Sequence, residues 1–256
     1  MVKEIMYLSK VPLDISVIYY TSNHLEKVNP YFVSNTKKQL LKAIGEHPLI
    51  SVSHEAMDFG TNIIVGEKDG IIPGRSHRNI YKQILIGCKH ATTKYVAMAE
   101  DDILYSFAHF HTYVPRRNKF AYDMQKLSIF TWTKTPMYSY RTKRKVVNQL
   151  IAPRKMLIEA LEERFARIPE LKAKGWTDNQ INSKWGDPGR YENHLGVTVR
   201  EMEEFNCSLP SIVFSHPDAF GYLNHGKKKR LGDIRMYNIP EWGKASDVLK
   251  LWKNKI

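Results

Sequence analysis

The feature that most limits how this chain can fold is an alternation of short apolar runs and helical stripes over its first hundred residues. Residues 15–20 (ISVIYY) are β-branched and aromatic and end in the polar Thr21-Ser22-Asn23, the composition of a buried strand running into a loop. Asn29-Pro30 supply a cap and a first-turn proline for a helix whose apolar positions Val33, Leu40, Leu41 and Ile44 lead to a stop at Gly45. Residues 48–53 (PLISVS) form a second strand. Ser76 caps a further helix with Ile80, Ile84, Leu85 and Cys88 on one face, and residues 95–99 (YVAMA) run as an apolar strand into Glu100-Asp101-Asp102. The order β-α-β-α-β predicts an α/β fold with a mainly parallel central sheet flanked by helices, and it puts ligands at the carboxyl ends of the strands.

Beyond residue 110 the pattern loosens. A strand is expected over residues 127–133 (LSIFTWT) and a helix from near Pro153, with Met156, Leu157, Ala160, Leu161 and Phe165 as its core stripe. Residues 172–192 are rich in Gly, Asn, Asp and Trp and predict a loop lining a site. A helical pattern over 191–205 and a short strand over 211–214 follow. No internal repeat or low-complexity linker divides the 256 residues, so a single domain is expected. With 43% apolar and 25% charged residues the chain can bury a sizeable core, which excludes disorder and fibrous repeats. Cys88 and Cys207 fit neither a zinc ribbon nor a disulfide framework, so a reducing compartment is the default. Without a long apolar run or a signal-peptide core, the expectation is a cytoplasmic protein with no membrane span.

The net charge of +13 is regional. Residues 111–155 hold 11 Lys and Arg against Asp123 alone, and residues 226–256 hold 9 against 3 acids, while the other two stretches are balanced or acidic. Such concentration attracts polyanions or anionic membrane surfaces. In the first block Tyr113, Trp132, Tyr138 and Tyr140 interleave with Arg116, Arg117, Lys134, Arg141, Lys143, Arg144 and Lys145. That mixture suits phosphate contacts and base stacking, so these seven basic residues are the candidate nucleic-acid contacts.

Carboxylates at the carboxyl end of a buried strand need a cation or a hydrogen-bond shell. Mg²⁺ or Mn²⁺ is the economical partner, because it takes one or two carboxylates and leaves positions for water and substrate phosphates. Neither GxxxxGK[ST] nor GxGxxG after a strand is present, which sets P-loop kinases and dinucleotide-binding dehydrogenases aside.

A strand ending in a polar loop, a helix containing Arg78 and Asn79 just after Arg75, and a strand ending in an acidic motif together resemble the nucleotide-sugar half of glycosyltransferases with the GT-A fold. The likeness covers residues 14–107 well and the remainder loosely, with 108–225 as the acceptor-binding half and 226–256 as a basic tail. It implies a UDP-sugar donor. Thr21, Ser22 and Asn23 would border the nucleobase, Arg75, Arg78 and Asn79 the diphosphate or ribose, and Glu100, Asp101 and Asp102 the ribose and metal. Asp102 is the first choice of metal ligand, but the triplet reads EDD where the family has DXD, which leaves Asp101 and Asp102 interchangeable. The resemblance also implies an acidic base near the start of a helix, and WGDPGRYE offers Asp187, with Glu192 as the fallback; Trp185 and Gly186 would shape the sugar pocket. A C-terminal histidine often joins the metal in this family. His225 is preferred over His216, because Lys227 and Lys228 follow it and would neutralise the diphosphate.

Three readings remain. The basic block with its aromatics makes the chain look like the small DNA glycosyltransferases of phages, which glycosylate hydroxymethylpyrimidines. A cell-surface polysaccharide or lipid-linked acceptor would instead set the basic regions against anionic headgroups. A non-catalytic nucleic-acid-binding protein would leave the acidic triplet without a use.

Overall fold

The computed structural model describes residues 13–74, 76–140, 145–219, 232 and 234–253. Strand β1 (Ile15–Thr21) is buried along its whole length. Its residues alternate between two core clusters, Ile15, Val17 and Tyr19 on one face and Ile18 and Tyr20 on the other, as a strand covered on both faces must. Short helix α1 (His24–Val28) leads to α2 (Pro30–Ile44), where Asn29 Oδ1 accepts the Phe32 N–H at 3.2 Å and Pro30 fills the first turn. Next come β2 (Leu49–Ser53), β3 (Thr61–Ile64), α3 (His77–His90) and β4 (Tyr95–Ala99). The four strands lie in the order β3-β2-β1-β4 and pair in parallel throughout.

After β4 the chain crosses to a second sheet through β5 (Ile103–Leu104) and α4 (Phe107–His111). Then follow β6 (Lys119–Asp123), β7 (Lys126–Phe130), β8 (Tyr138–Tyr140), β9 (Leu150–Pro153), α5 (Arg154–Ala173), α6 (Asp178–Trp185), α7 (Glu192–Leu195), β10 (Glu201–Phe205), β11 (Ser211–Ser215) and β12 (Ile234–Met236). The main sheet has seven strands in the order β10-β6-β9-β4-β1-β2-β3, with β9 antiparallel to both neighbours, and the second has the order β12-β8-β7-β11-β5. The chain is therefore mixed α/β, with a large, mainly parallel central sheet flanked by helices. Helices α3 and α5 cover one face of that sheet and α2 and α4 the other. Helix α2 also serves the second sheet, since Phe32 and Val33 join Ile129, Tyr138 and Phe214 in a third cluster.

Gly87 lets α3 sit close against the sheet: a Cβ there would lie 2.5 Å from Ile18 Cγ2 and 3.2 Å from Val52 Cγ2. One turn earlier, buried Gln83 donates to the carbonyls of Thr21 (2.7 Å) and Val52 (2.9 Å), satisfying strand ends that would otherwise be left open beside the cleft.

The second half differs from the sequence expectation in two places. The expected loop 172–192 contains α6, whose Ile181 and Trp185 are buried against the α3–α5 layer. The expected helix over 191–205 reduces to the four residues of α7, stopped by Gly196 at φ +68, and residues 201–205 become the edge strand β10 on β6. The β-branched Val197, Thr198 and Val199 between them favour extended backbone over helix. Leu41, placed on the apolar face of α2, is 48% exposed. The boundary drawn at residue 107 does not divide the main sheet, which takes β6, β9 and β10 from beyond it.

Candidate active site

At the carboxyl ends of β1, β2 and β4 a cleft opens, where α/β sheets take their ligands. Its floor is Tyr20, Thr21 and the loop Glu100-Asp101-Asp102, and α3 contributes Ser76, Asn79, Ile80 and Gln83 to one wall. Ser22, His24, His54, His216 and Asp218 complete the lining. The acidic loop sits where the chain leaves the main sheet at β4 and joins the second at β5, and the Phe214 N–H donates to the Asp102 carbonyl at 2.9 Å. This bond aligns β11 so that His216, just past its end, lies with Nε2 3.5 Å from Asp102 Oδ2.

The three acids are unequally served. Glu100 accepts from Tyr20 Oη (2.7 Å) and Asn148 Nδ2 (2.6 Å), and Asp101 accepts from Thr21 Oγ1 (2.7 Å). Burial, followed by repulsion from Asp102, pushes Glu100 up to about 8 and Asp101 up to about 6, even though those hydrogen bonds pull the other way. Asp102 Oδ1 is buried with no hydrogen-bond partner, and so is His216 Nδ1, whose ring stacks on Trp252 at 4.6 Å. Two protein-facing carboxylates held against their own charge, beside a third with an orphaned oxygen and an imidazole, form a donor set that fits a divalent cation of the Mn²⁺ or Mg²⁺ type. Asp102 and His216 would hold it.

Asn23 occupies the left-handed region at φ +58, uncommon outside glycine, and its Oδ1 accepts the N–H groups of His54 and Glu55, both at 3.0 Å. It ties the loop after β1 to the loop after β2 and turns no side-chain oxygen into the cleft. Asn79 lines the cleft, but its amide is spent on Ile72 N–H, Ile72 C=O and Gly74 C=O at 2.9–3.0 Å. Arg78 Nη2 pairs with Asp178 at 2.9 Å.

Trp185 and Glu192 lie elsewhere than the sequence suggests. Trp185 is fully buried on Phe165 (ring centroids 4.9 Å) and Tyr81 (6.4 Å), so it shapes the core and not a sugar pocket. Glu192 is buried in an ion pair with Arg164 at 2.6 Å and also accepts the Gly189 N–H at 2.6 Å, which leaves it no role as a free base. Asp187 is not among the residues that line the cleft; its carboxyl takes one hydrogen bond from Tyr81 Oη (3.0 Å) and one contact from Arg190 (3.3 Å), and burial raises its pKa. Arg75, His225, Lys227, Lys228, Arg141, Lys143 and Arg144 lie outside the described residues.

The basic block is partly neutralised in space. Lys119 pairs with Glu201 at 2.8 Å, Arg116 with Glu203 at 3.6 Å and Lys145 with Glu204, all three acids standing on β10 beside β6. Arg117 and Lys134 are exposed. Of the interleaved aromatics, Tyr138 is buried in the second sheet and Tyr113 stacks on Phe205 at 4.2 Å, while Trp132 is 42% exposed.

A second donor cluster is buried at the end of β6. His109, Asp123 and Cys207 place one ligand-type atom each within 4.8 Å of one another. Asp123 is already saturated there: it accepts from His109 Nδ1 (2.9 Å), Gln125 N–H (2.9 Å) and Cys207 N–H (3.3 Å).

Sequence reasoning passes over His24, His54, Asp218, Tyr20 and Asn148, and places His216 second. The position of His216 carries a usable signal, since it follows a short apolar strand just as the acidic triplet does. Asn148 carries none, because only the crossing of β9 between β4 and β6 brings it to Glu100.

No protein-family model matches the chain, and no curated protein matches its sequence. Among solved structures, similarity extends to the galactosyltransferase LgtC in complex with donor and acceptor sugar analogues (11% identity, 79% of this chain and 87% of that one, TM-score 0.39) and to an active-site mutant of LgtC (10%, 82% and 93%, 0.41). It extends also to 2-C-methyl-D-erythritol 4-phosphate cytidylyltransferase from Thermus thermophilus (13% identity, 76% and 89%, TM-score 0.36). The bifunctional IspDF from Campylobacter jejuni aligns over 75% of this chain at 10% identity and TM-score 0.38, and the chain spans 49% of its length. At these scores the likeness is loose, and the fold stands on the strand order and register of the chain itself. No described helix is long and apolar enough to cross a membrane.

Proposed function

We propose that this chain is a divalent-cation-dependent glycosyltransferase that uses a nucleotide sugar, with UDP-sugar the expected donor. The observation that carries the reading is Asp102: a carboxylate at the carboxyl end of the central sheet, with an orphaned buried oxygen, beside His216 in the cleft lining. When bound, a cation there supplies positive charge against the diphosphate that leaves the sugar. Thr21 orients Asp101, and Tyr20 with Asn148 orients Glu100. Ser76 and Asn79 at the start of α3 line the same wall, where the positive end of the helix dipole favours phosphate. Asp187 accepts the proton of the acceptor hydroxyl as that oxygen bonds to the anomeric carbon and the bond to the diphosphate breaks.

The acceptor we favour is a hydroxymethylpyrimidine in DNA, supported by the concentration of basic residues at 111–155 and 226–256 and by the exposed Trp132, Lys134 and Arg117. The pairing of Arg116, Lys119 and Lys145 with the β10 acids favours a second reading, a saccharide or lipid-linked acceptor that needs no extended basic face. A panel of nucleotide sugars with Mn²⁺, offered hydroxymethylated duplex, unmodified duplex and lipid or saccharide acceptors, separates the two by mass spectrometry of the products. Glycosylated nucleoside supports the first reading. Transfer to lipid or saccharide alone replaces it with the second, and no sugar release under any condition overturns both.

A further inference from the structure

Arg164, on α5, has a side chain with no exposed surface. Its guanidinium donates to the carbonyls of Trp185 (2.7 Å), Gly186 (2.7 Å), Asp187 (3.3 Å) and Arg190 (3.0 Å) and to Glu192 Oε1 (2.6 Å). A buried arginine with an ion-pair partner and four backbone acceptors spans one short segment from end to end. Within that segment Glu192 returns to accept the Gly189 N–H, Tyr191 takes φ +60, and its ring packs on Gly186, where any Cβ would collide with it. A bulky residue in the left-handed region is costly and persists only where its surroundings enforce it.

We infer that Arg164, locked by Glu192, is a positioning residue that holds residues 185–192 as one rigid turn and so sets the carboxyl of Asp187 against Tyr81. The inference rests on the reading of Asp187 as proton acceptor. Lysine cannot replace the arginine, because an ammonium has three donors and no planar fork to serve five acceptors arranged around one side chain. Glu192, the alternative base from sequence, is thereby the counter-ion of the strut.

The groups that face Asp187 are the Tyr81 hydroxyl and His77 from α3, Arg190 from its own turn, Arg164 from α5 and Tyr122 from β6. Arg164→Lys and Glu192→Asp both conserve charge, so a change in the titration of Asp187 reports its position and not the loss of a neighbour's charge. In protein carrying ¹³C-labelled aspartate carboxyls, with Asp187→Asn to assign the resonance, wild-type Asp187 is expected to titrate above the ordinary aspartate range. In Arg164→Lys water reaches the carboxyl and its midpoint moves down toward that range. With UDP-glucose, Mn²⁺ and hydroxymethylated duplex, the acid limb of turnover moves the same way, kcat falls about tenfold or more, and KM for the donor stays within about twofold. Glu192→Asp gives a smaller shift in the same direction and serves as the test if Arg164→Lys does not fold. Unchanged Asp187 titration in a folded variant overturns the inference. Wild-type turnover by Asp187→Asn overturns the reading of the base instead, and the titration still decides whether Arg164 positions that carboxyl.

Discussion

Two carboxylate clusters stand at the carboxyl ends of strands in the same sheet, and they have opposite electrostatic fates. At the end of β6, Asp123 is fully buried, yet its pKa is lowered: burial raises it, but the hydrogen bond and charge of His109, with donors from Cys207 and Gln125, more than offset that penalty. At the end of β4, Glu100 and Asp101 are raised and Asp102 keeps a buried oxygen with no partner. Burial alone therefore does not mark a site. What separates the two is whether the protein itself serves the carboxylate: at β6 Asp123 takes donors from His109, Gln125 and Cys207, although His109 Nε2 is itself left without a partner, while at β4 the acids keep a deficit of positive charge that a ligand can fill.

Exchanging acids between these roles should give the largest effects. Asp102→Ala should lower metal-dependent sugar transfer by at least about 100-fold while leaving the thermal midpoint near wild type, because it removes a carboxylate ligand and relieves like-charge repulsion. Asp123→Asn should do the reverse, with cation binding unchanged and stability lower by about 2 kcal/mol in denaturant titrations, because the buried donors from His109, Gln125 and Cys207 lose their charged acceptor. Loss of cation binding in Asp123→Asn would erase the distinction.

A smaller effect concerns pH. Glu100 and Asp101 hold protons more tightly in the folded state than in the unfolded chain, so native protein binds more protons between the ordinary carboxylate range and their raised values. Stability contributed by these two groups is full at low pH and is lost as pH rises, through about 6 for Asp101 and about 8 for Glu100. Thermal melts in chelator should show this decline, and Mn²⁺ should flatten it. A midpoint that rises across that window in chelator would contradict the assignment, and Asp102→Ala should shrink the decline.

Much of this is legible in the sequence alone. Strands β1, β2 and β4 and helices α2 and α3 announce themselves through buried apolar runs and stripes, whereas β3, exposed or half-buried along its length, and short α1 give no such signal; the acidic triplet follows directly from where the third apolar run stops. The rest is not, for physical reasons. Strand β9 is four residues that run straight into α5, and β10 (EMEEF) has an edge-strand composition that a helical pattern matches equally well; only pairing with β6 decides it. Linear charge counting likewise separates a basic block at 111–155 from an acidic stretch at 156–225, and pairing of β6 with β10 brings the two together. Trp185 has the sequence surroundings of a binding loop, yet the period of α6 turns it inward.

The smallest expected effect follows from that pairing. If the chain binds duplex, Arg117→Ala or Lys134→Ala should each reduce the slope of log affinity against log salt by about 0.9 for every phosphate no longer neutralised. Arg116→Ala and Lys145→Ala should change it less, because β10 acids already neutralise them. Equal effects from all four would show that those ion pairs open on binding.

In the proposed function the β4 loop, and not the β6 cluster, takes a divalent cation. Electron paramagnetic resonance of Mn²⁺ titrated into wild type, Asp102→Ala and Asp123→Asn, with and without UDP, tests it most directly. The expected result is one bound Mn²⁺ per chain, tightened by UDP, abolished in Asp102→Ala and kept in Asp123→Asn. Mn²⁺ binding that survives Asp102→Ala, or that disappears only with Asp123→Asn, would contradict it.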